Sequence, residues 1–398
     1  MTIESSELTR QFPALDSLRA VGSFAVVVTH AAFWSAAYSD YGIFGPFLAR
    51  LDVGVAIFFV LSGFLLSRQW FVRAQHGAEP PRLRRYFLKR FLRIWPVYVI
   101  AVLAALTFLE ANSGHDPRDW LVTLALLDIY VGETLPAGLT QMWSLATEVA
   151  FYVLLPLLML LALPRREPAK PGRVALLAGA MVATSILWVT IGADSLPRDA
   201  MVAQWLPAYT SWFAVGIVLA HLQVRQAAGV TSRRTNATIR TLTSSPGALW
   251  VLALGLLLVA ATPLAGPTLL VPPSHEEAVV KNLLYAGVGG LLVFAGAFAD
   301  PRSDHQRLLS ARWARHLGHI SYGVFCFHLP LLHFVMWATG YPLFSGRFVE
   351  ILVLTSVLSI VAAEVVYFAV ERPFMRLAAP RRGRAARKAT PTTEHSTK

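Results

Sequence analysis

Arg19 and His30 sit in LDSLRAVGSFAVVVTHAAFW, Leu15 to Trp34, a stretch that otherwise belongs in oil. An ionisable side chain inside a membrane span is costly, and it usually faces a protein interior or a water-filled cavity where it has work to do. The eleven-residue step from one to the other comes to roughly three helical turns, so both fall on one face, about 16 Å apart along the axis. Arginine is a permanent, fork-shaped cation suited to phosphate or carboxylate. Imidazole can take and return a proton near neutral pH. An interfacial arginine beside a packed histidine is the plainer alternative for this pair. Glu148 adds a carboxylate to another apolar stretch, one turn after Ser144 and one turn before Tyr152. A carboxylate there needs a partner: it could orient His30, bind a hydroxyl, or pair with an arginine.

Ten apolar stretches, each near the length needed to cross a bilayer, must position these groups. They run approximately Leu15–Tyr38, Leu51–Val72, Ile94–Asn112, Trp143–Leu163, Val174–Gly192, Met201–Leu222, Gly247–Gly266, Ala278–Ala299, Ile320–Thr339 and Phe348–Val370. A shorter piece, Trp120–Val131, holds Asp128 and reads as a re-entrant or interfacial segment. With 55% hydrophobic and only 15% charged residues, the chain is excluded from the soluble classes. A net charge of +12 could suggest nucleic acid, but the charges fall in short loops between spans. Of the 35 Lys and Arg, 28 lie in alternate loops and the termini, against four in the opposite loops (Arg50, Arg118, Arg198 and Arg347). That bias predicts an even number of spans with both termini cytoplasmic. The expected fold is therefore all-α: a polytopic integral-membrane bundle of about ten helices over residues 1–376. Residues 377–398 are expected to form a basic, disordered cytoplasmic tail. The single cysteine, Cys326, excludes an internal disulfide and any Cys-based metal cluster, and no metal is expected.

Five patches, with a closing ERP at Glu371–Pro373, resemble the acyltransferase-3 family of bacterial integral-membrane acyltransferases. They are LDSLRAVGSFAVVVTH (Leu15–His30), FFVLSGFLL (Phe58–Leu66), RFLRIWP (Arg90–Pro96), WSLATEVAFY (Trp143–Tyr152) and LGHISYGVFCFHLP (Leu317–Pro330). They follow the family's order across nearly the whole chain, and its Arg-x10-His pattern falls on Arg19 and His30. Ser17 and Ala20 replace usual glycines, and Val149 stands where a second acid is common. The resemblance implies a cell-membrane enzyme moving an acetyl or other short acyl group from acyl-CoA, a co-substrate rather than a bound cofactor. The implied acceptor is a hydroxyl of a glycan, a lipid-linked sugar or a macrolide-type metabolite.

Transfer from a thioester to an alcohol needs a base for the hydroxyl proton, and His30 is the candidate, with Glu148 in support. No Gly-x-Ser-x-Gly elbow suggests an acyl-enzyme, which favours direct attack by the acceptor. Arg82, Arg85, Lys89 and Arg93 recur at helical spacing ahead of the third span. Lipid-headgroup anchoring explains such a face as readily as ligand binding does. Arg90 and Arg93, inside the family-like patch, join Arg19 as candidates for the coenzyme A phosphates. Trp143, Ser144, Tyr152, His328 and Glu364 are candidates for supporting or acceptor contacts; for His328 a structural hydrogen bond is an equal reading. Ser321 and His328 are seven residues apart on one helix face, and Glu364 and Glu371 repeat that spacing. Glu371 reads as an ion-paired helix end and Ser62-Gly63 as a close helix contact. A transporter or flippase of acylated or glycosylated lipids is the alternative function, since buried charges also serve as binding points there.

Overall fold

The computed structural model describes residues 10–163, 167–192, 201–268 and 271–377, which are predominantly helical, with no strand among them. Nine helices among these residues are long and apolar enough to cross a membrane. The principal ones are α1 (Pro13–Trp34), α2 (Gly54–Gln75), α3 (Leu83–Phe108), α4 (Met142–Ala162), α5 (Pro171–Leu187) and α6 (Leu206–Ala227). After α7 (Arg233–Ser244) and α8 (Pro246–Ala260) come α9 (His275–Phe298), α10 (Arg312–Thr339) and α11 (Phe348–Val366). The expected span Gly247–Gly266 begins on α8, which meets α7, a helix in the expected basic loop, at an angle of 81°. α8 has 15 residues, short of a crossing on its own, while Ser232 caps α7 by accepting from the Thr235 amide. The basic tail lies outside the described residues beyond position 377.

Two boundaries differ from the sequence expectation in ways that bear on the site. α3 begins at Leu83, not near Ile94, so the basic stretch is the first turns of the spanning helix and not a loop. Of its basic residues, Arg90 and Arg93 are partly buried against the bundle, whereas Arg84, Arg85 and Lys89 stay exposed. The second span is preceded by a short helix, Phe44–Ala49, and a 3₁₀ turn, Arg50–Val53. Arg50, which the charge pattern places in a loop, is buried and donates to the carbonyls of Ala260, Ala265 and Gly266. The segment Trp120–Val131 does not cross; it forms two short helices, Pro117–Leu124 and Asp128–Val131. They are joined through the Thr123 hydroxyl, which donates to Asp128 at 2.8 Å.

Helices in lipid gain little from the hydrophobic effect, so close packing must hold them. Glycines supply it here. A Cβ on Gly54 would collide with the Gly22 carbonyl, which brings the start of α2 against α1. A Cβ on Gly63 or Gly216 would collide with the facing backbone, which locks α2 to α6. Between these contacts Phe59, Phe213 and Phe151 stack in sequence, with ring centroids 4.5 and 3.9 Å apart. The Gly63 contact is as expected; the adjacent Ser62 serves another purpose.

Candidate active site

α1, α2, α3, α4 and α10 enclose a narrow cavity with about 90 Å³ of water-accessible space. At its basic end stand Arg19, Arg90 and Arg93, placed by the second turn of α1 and the first turns of α3. Arg19 donates to Asp16 at 2.7 Å, one turn earlier on α1. Three guanidinium groups and a single carboxylate, Glu148, line the cavity walls. Such an excess of one charge in a low-dielectric enclosure favours an anionic occupant.

Two basic pockets share lining residues with this end. One, of about 660 Å³, shares Arg90 and Leu66 with the cavity and adds Arg73, Arg82, Arg85 and Lys89. The other, of about 490 Å³, shares Arg19 and Arg93 and adds His319, the buried Glu371, Arg372 and Arg376.

Mid-cavity, the Glu148 carboxylate accepts from the Tyr152 hydroxyl at 2.6 Å and from the Ser62 hydroxyl. Arg90 lies over the Tyr152 ring, 5.9 Å from its centroid. Ser144 and Ser321 line the same walls, each hydroxyl bonded to a backbone carbonyl of its own helix region. The far end is closed by Phe58 and Phe325, whose rings meet edge to face.

His30 is not in this wall. Its Nδ1 lies 3.0 Å from Nε2 of His328, which is fully enclosed, and the His328 ring is 6.0 Å from that of Phe325. The Nδ1 of His328 is 2.7 Å from the Phe325 carbonyl. A carbonyl only accepts, so Nδ1 of His328 carries the hydrogen and its Nε2, in the neutral ring, is an acceptor. His30 must then donate through Nδ1, which leaves its own Nε2 with a lone pair. The two histidines, 298 residues apart in sequence, thus fix one another's tautomer.

The structure therefore gathers Arg19, Arg90, Arg93, Ser144, Glu148 and Tyr152 around one cavity, with His30 and His328 adjoining it across Phe325. Three expectations change. The partner of His30 is His328, and Glu148 is engaged with Ser62 and Tyr152 instead. Glu364 does not line the cavity: it bonds His316, in the second turn of α10. Trp143 faces away from the cavity into a separate pocket, its ring 5.1 Å from that of Tyr209. Ser62 and Asp16 were missed. Asp16 has the i, i+3 spacing from Arg19 that could have announced it, whereas Ser62, which lies in a family-like patch, reads only as part of a close helix contact until its bond to Glu148 is seen. No group of three or more potential metal ligands occurs among the described residues.

A family model described as an acyltransferase domain matches residues 12–368, nearly the whole chain. The chain belongs to the acyltransferase-3 family. Among its relatives, the acyltransferase MdmB of Streptomyces mycarofaciens is 29% identical over 396 residues, covering 94% of each chain. A peptidoglycan O-acetyltransferase, OatA, of Listeria monocytogenes is 24% identical over 80% of this chain. The match covers 49% of that relative, so this chain spans about half its length. The O-acetyltransferase OatA of Staphylococcus aureus strain NCTC 8325 is 26% identical over 42% of this chain and 28% of its own. No solved structure matches. The family and the apolar helices together make this a multi-pass membrane acyltransferase.

Proposed function

We propose that this acyltransferase moves an acetyl or other short acyl group from acyl-CoA to a hydroxyl of a glycan, a lipid-linked sugar or a macrolide-type metabolite. Its place is the bacterial cytoplasmic membrane, with both termini and the basic pockets on the cytoplasmic side. That orientation follows from the Lys and Arg bias of the loops. The name of the Listeria relative specifies acetyl as the group and oxygen as the acceptor, and both are carried over here as part of the proposal.

The observation that carries the reading is the His30–His328 hydrogen bond. It leaves Nε2 of His30 without a hydrogen and so ready to act as general base. His30 accepts the acceptor's hydroxyl proton as the oxygen attacks the thioester carbonyl. The new C–O bond forms, the C–S bond breaks, and the imidazolium returns the proton to the departing coenzyme A thiolate. Arg19, Arg90 and Arg93 hold the phosphates by charge-assisted hydrogen bonds. The pantetheine arm enters along the cavity, and the Phe58 and Phe325 rings must part for the acyl carbon to reach His30. Glu148, held by Ser62 and Tyr152, balances part of the arginine charge. His328 positions His30.

The test is mass spectrometry of cell-envelope glycans and secreted metabolites from cells with the intact gene, the deleted gene and a His30→Gln allele. One acyl increment should disappear in both altered strains. Identical profiles in all three would refute the assignment.

A further inference from the structure

At the end of the molecule opposite the arginines lies a pocket of about 380 Å³, within the size range of small-molecule sites. It is built where α2, α4, α6 and α9 begin and α5 ends. Its walls are aromatic: Trp143, Trp188, Tyr209, Trp212 and Tyr285. Tyr209 joins Trp143 to Trp212, with centroids 5.1 and 4.8 Å apart, so the rings form a continuous surface. Set into this surface is one ion pair. Lys281 donates to Asp52 at 2.8 Å, and both side chains remain partly exposed, 30% and 41%. The second Asp52 oxygen accepts from the Tyr285 hydroxyl.

Aromatic faces with a single charged pair do not suit an acyl chain, which would be better served by branched aliphatic walls and no charge. They suit a ring that is apolar on its faces and carries hydroxyls on its rim. We infer that this pocket is the acceptor subsite and that it takes a pyranose, the sugar unit of a glycan or glycoside, stacked on Trp143 and Tyr209. The Asp52–Lys281 pair bonds two of its hydroxyls. The inference rests on the proposed acyl transfer and names its acceptor class.

The pocket is placed for that role. The Thr29 hydroxyl donates to the Ala49 carbonyl at 3.1 Å, so His30 is level with the chain that turns three residues later into Asp52. Phe59, whose neighbour Phe58 closes the central cavity, packs on Tyr209 and Trp212 with centroids 5.9 and 5.7 Å apart. A donor entering from the basic end and a sugar from the aromatic end therefore converge on the layer that holds His30.

Binding can be read without turnover, by saturation-transfer NMR on the purified full-length protein. The probes are methyl β-D-glucopyranoside, methyl N-acetyl-β-D-glucosaminide and methyl α-L-rhamnopyranoside, with cyclohexanol as the ring lacking a hydroxyl rim. At least one pyranoside should bind, about tenfold or more tighter than cyclohexanol. Trp143→Ala should weaken it by roughly tenfold. Trp143→Phe, which keeps an aromatic face and guards against a folding defect, should stay within about threefold of wild type. Lys281→Met should also weaken binding, and His30→Gln should leave it unchanged. Absence of binding by all three pyranosides, or wild-type binding by Trp143→Ala, overturns the inference. Acetyl transfer from acetyl-CoA, followed in parallel, separates the two ideas. Transfer without pyranoside binding removes the subsite and keeps the enzyme reading. Trp143-dependent pyranoside binding in a protein that never uses acetyl-CoA keeps the subsite and removes the donor.

Discussion

Replacing His328 by leucine tests how the base is oriented, because it removes the acceptor 3.0 Å from Nδ1 of His30 without touching the base itself. In the wild type the Phe325 carbonyl dictates that His328 accepts, and His328 dictates that His30 presents a bare Nε2. Leucine breaks that chain. The Val26 carbonyl one turn back remains a partner of the His30 ring, so the loss is that of one hydrogen bond, about 0.5–1.5 kcal/mol, equivalent to roughly 2- to 10-fold in the population of the reactive tautomer. His328→Gln retains a carbonyl oxygen that can accept from Nδ1–H and should recover most of the loss, to within about twofold of wild type. The assay is steady-state transfer from labelled acetyl-CoA by purified protein, at matched amounts of correctly folded material. The reduction should fall on kcat, with KM for acetyl-CoA unchanged. Wild-type kcat in His328→Leu would refute the orienting role. So would equal damage from leucine and glutamine together with loss of folded protein, since a merely structural histidine would behave that way.

Arg19→Ala, and separately Arg93→Ala, should each raise KM for acetyl-CoA roughly tenfold, since a charge-assisted contact contributes about 1.5–3 kcal/mol; unchanged KM in steady-state kinetics would reduce these residues to lipid anchors. In double-mutant cycles on kcat/KM, Ser62→Ala with Glu148→Gln should show a coupling of at least about 0.5 kcal/mol, whereas His30→Gln with Glu148→Gln should be additive within about 0.5 kcal/mol. Gly216→Val should abolish the monodisperse protein peak in size-exclusion chromatography, because its Cβ would collide with the Val60 carbonyl, while Gly255→Ala, with open space around it, should not. Reporter fusions should place the chain near Arg84 and Arg307 and the carboxy terminus on the cytoplasmic side, with the loops near Tyr41 and Pro272 outside; an external carboxy terminus would contradict the orientation.

Which parts of this were legible in sequence follows from the range of the interactions involved. Helix identity and the α1 pair Arg19–His30 are local properties, set by hydropathy and a 100° repeat, and they could be read directly. The family-like patches led to Arg90, Arg93, Glu148 and Tyr152, which share a cavity although they come from two helices. Partnerships between helices could not be read. The spacing of Glu364 puts it on a spanning helix but does not say which neighbour it faces, and that neighbour is His316. Trp143 and Ser144 are adjacent in sequence, yet helical geometry turns one into the aromatic pocket and the other into the cavity. Asp52 and Lys281 sit near the ends of distant apolar stretches, where charges are ordinary, so only the folded bundle reveals them as a pair. The bent pair α7 and α8 likewise reads as one loop and one span until the 81° angle is seen.

The central claim, a histidine base acting on an acyl-CoA donor, is tested most directly by comparing His30→Gln with wild type. The measurement is transfer of labelled acetyl from acetyl-CoA by purified protein, with acetyl-CoA binding followed in the same preparations. Glutamine keeps the volume and a hydrogen-bonding group but cannot take a proton at neutral pH. Transfer should fall by about 10²–10⁴-fold with acetyl-CoA affinity preserved. A His30→Gln protein that transfers acetyl at the wild-type rate would contradict the mechanism.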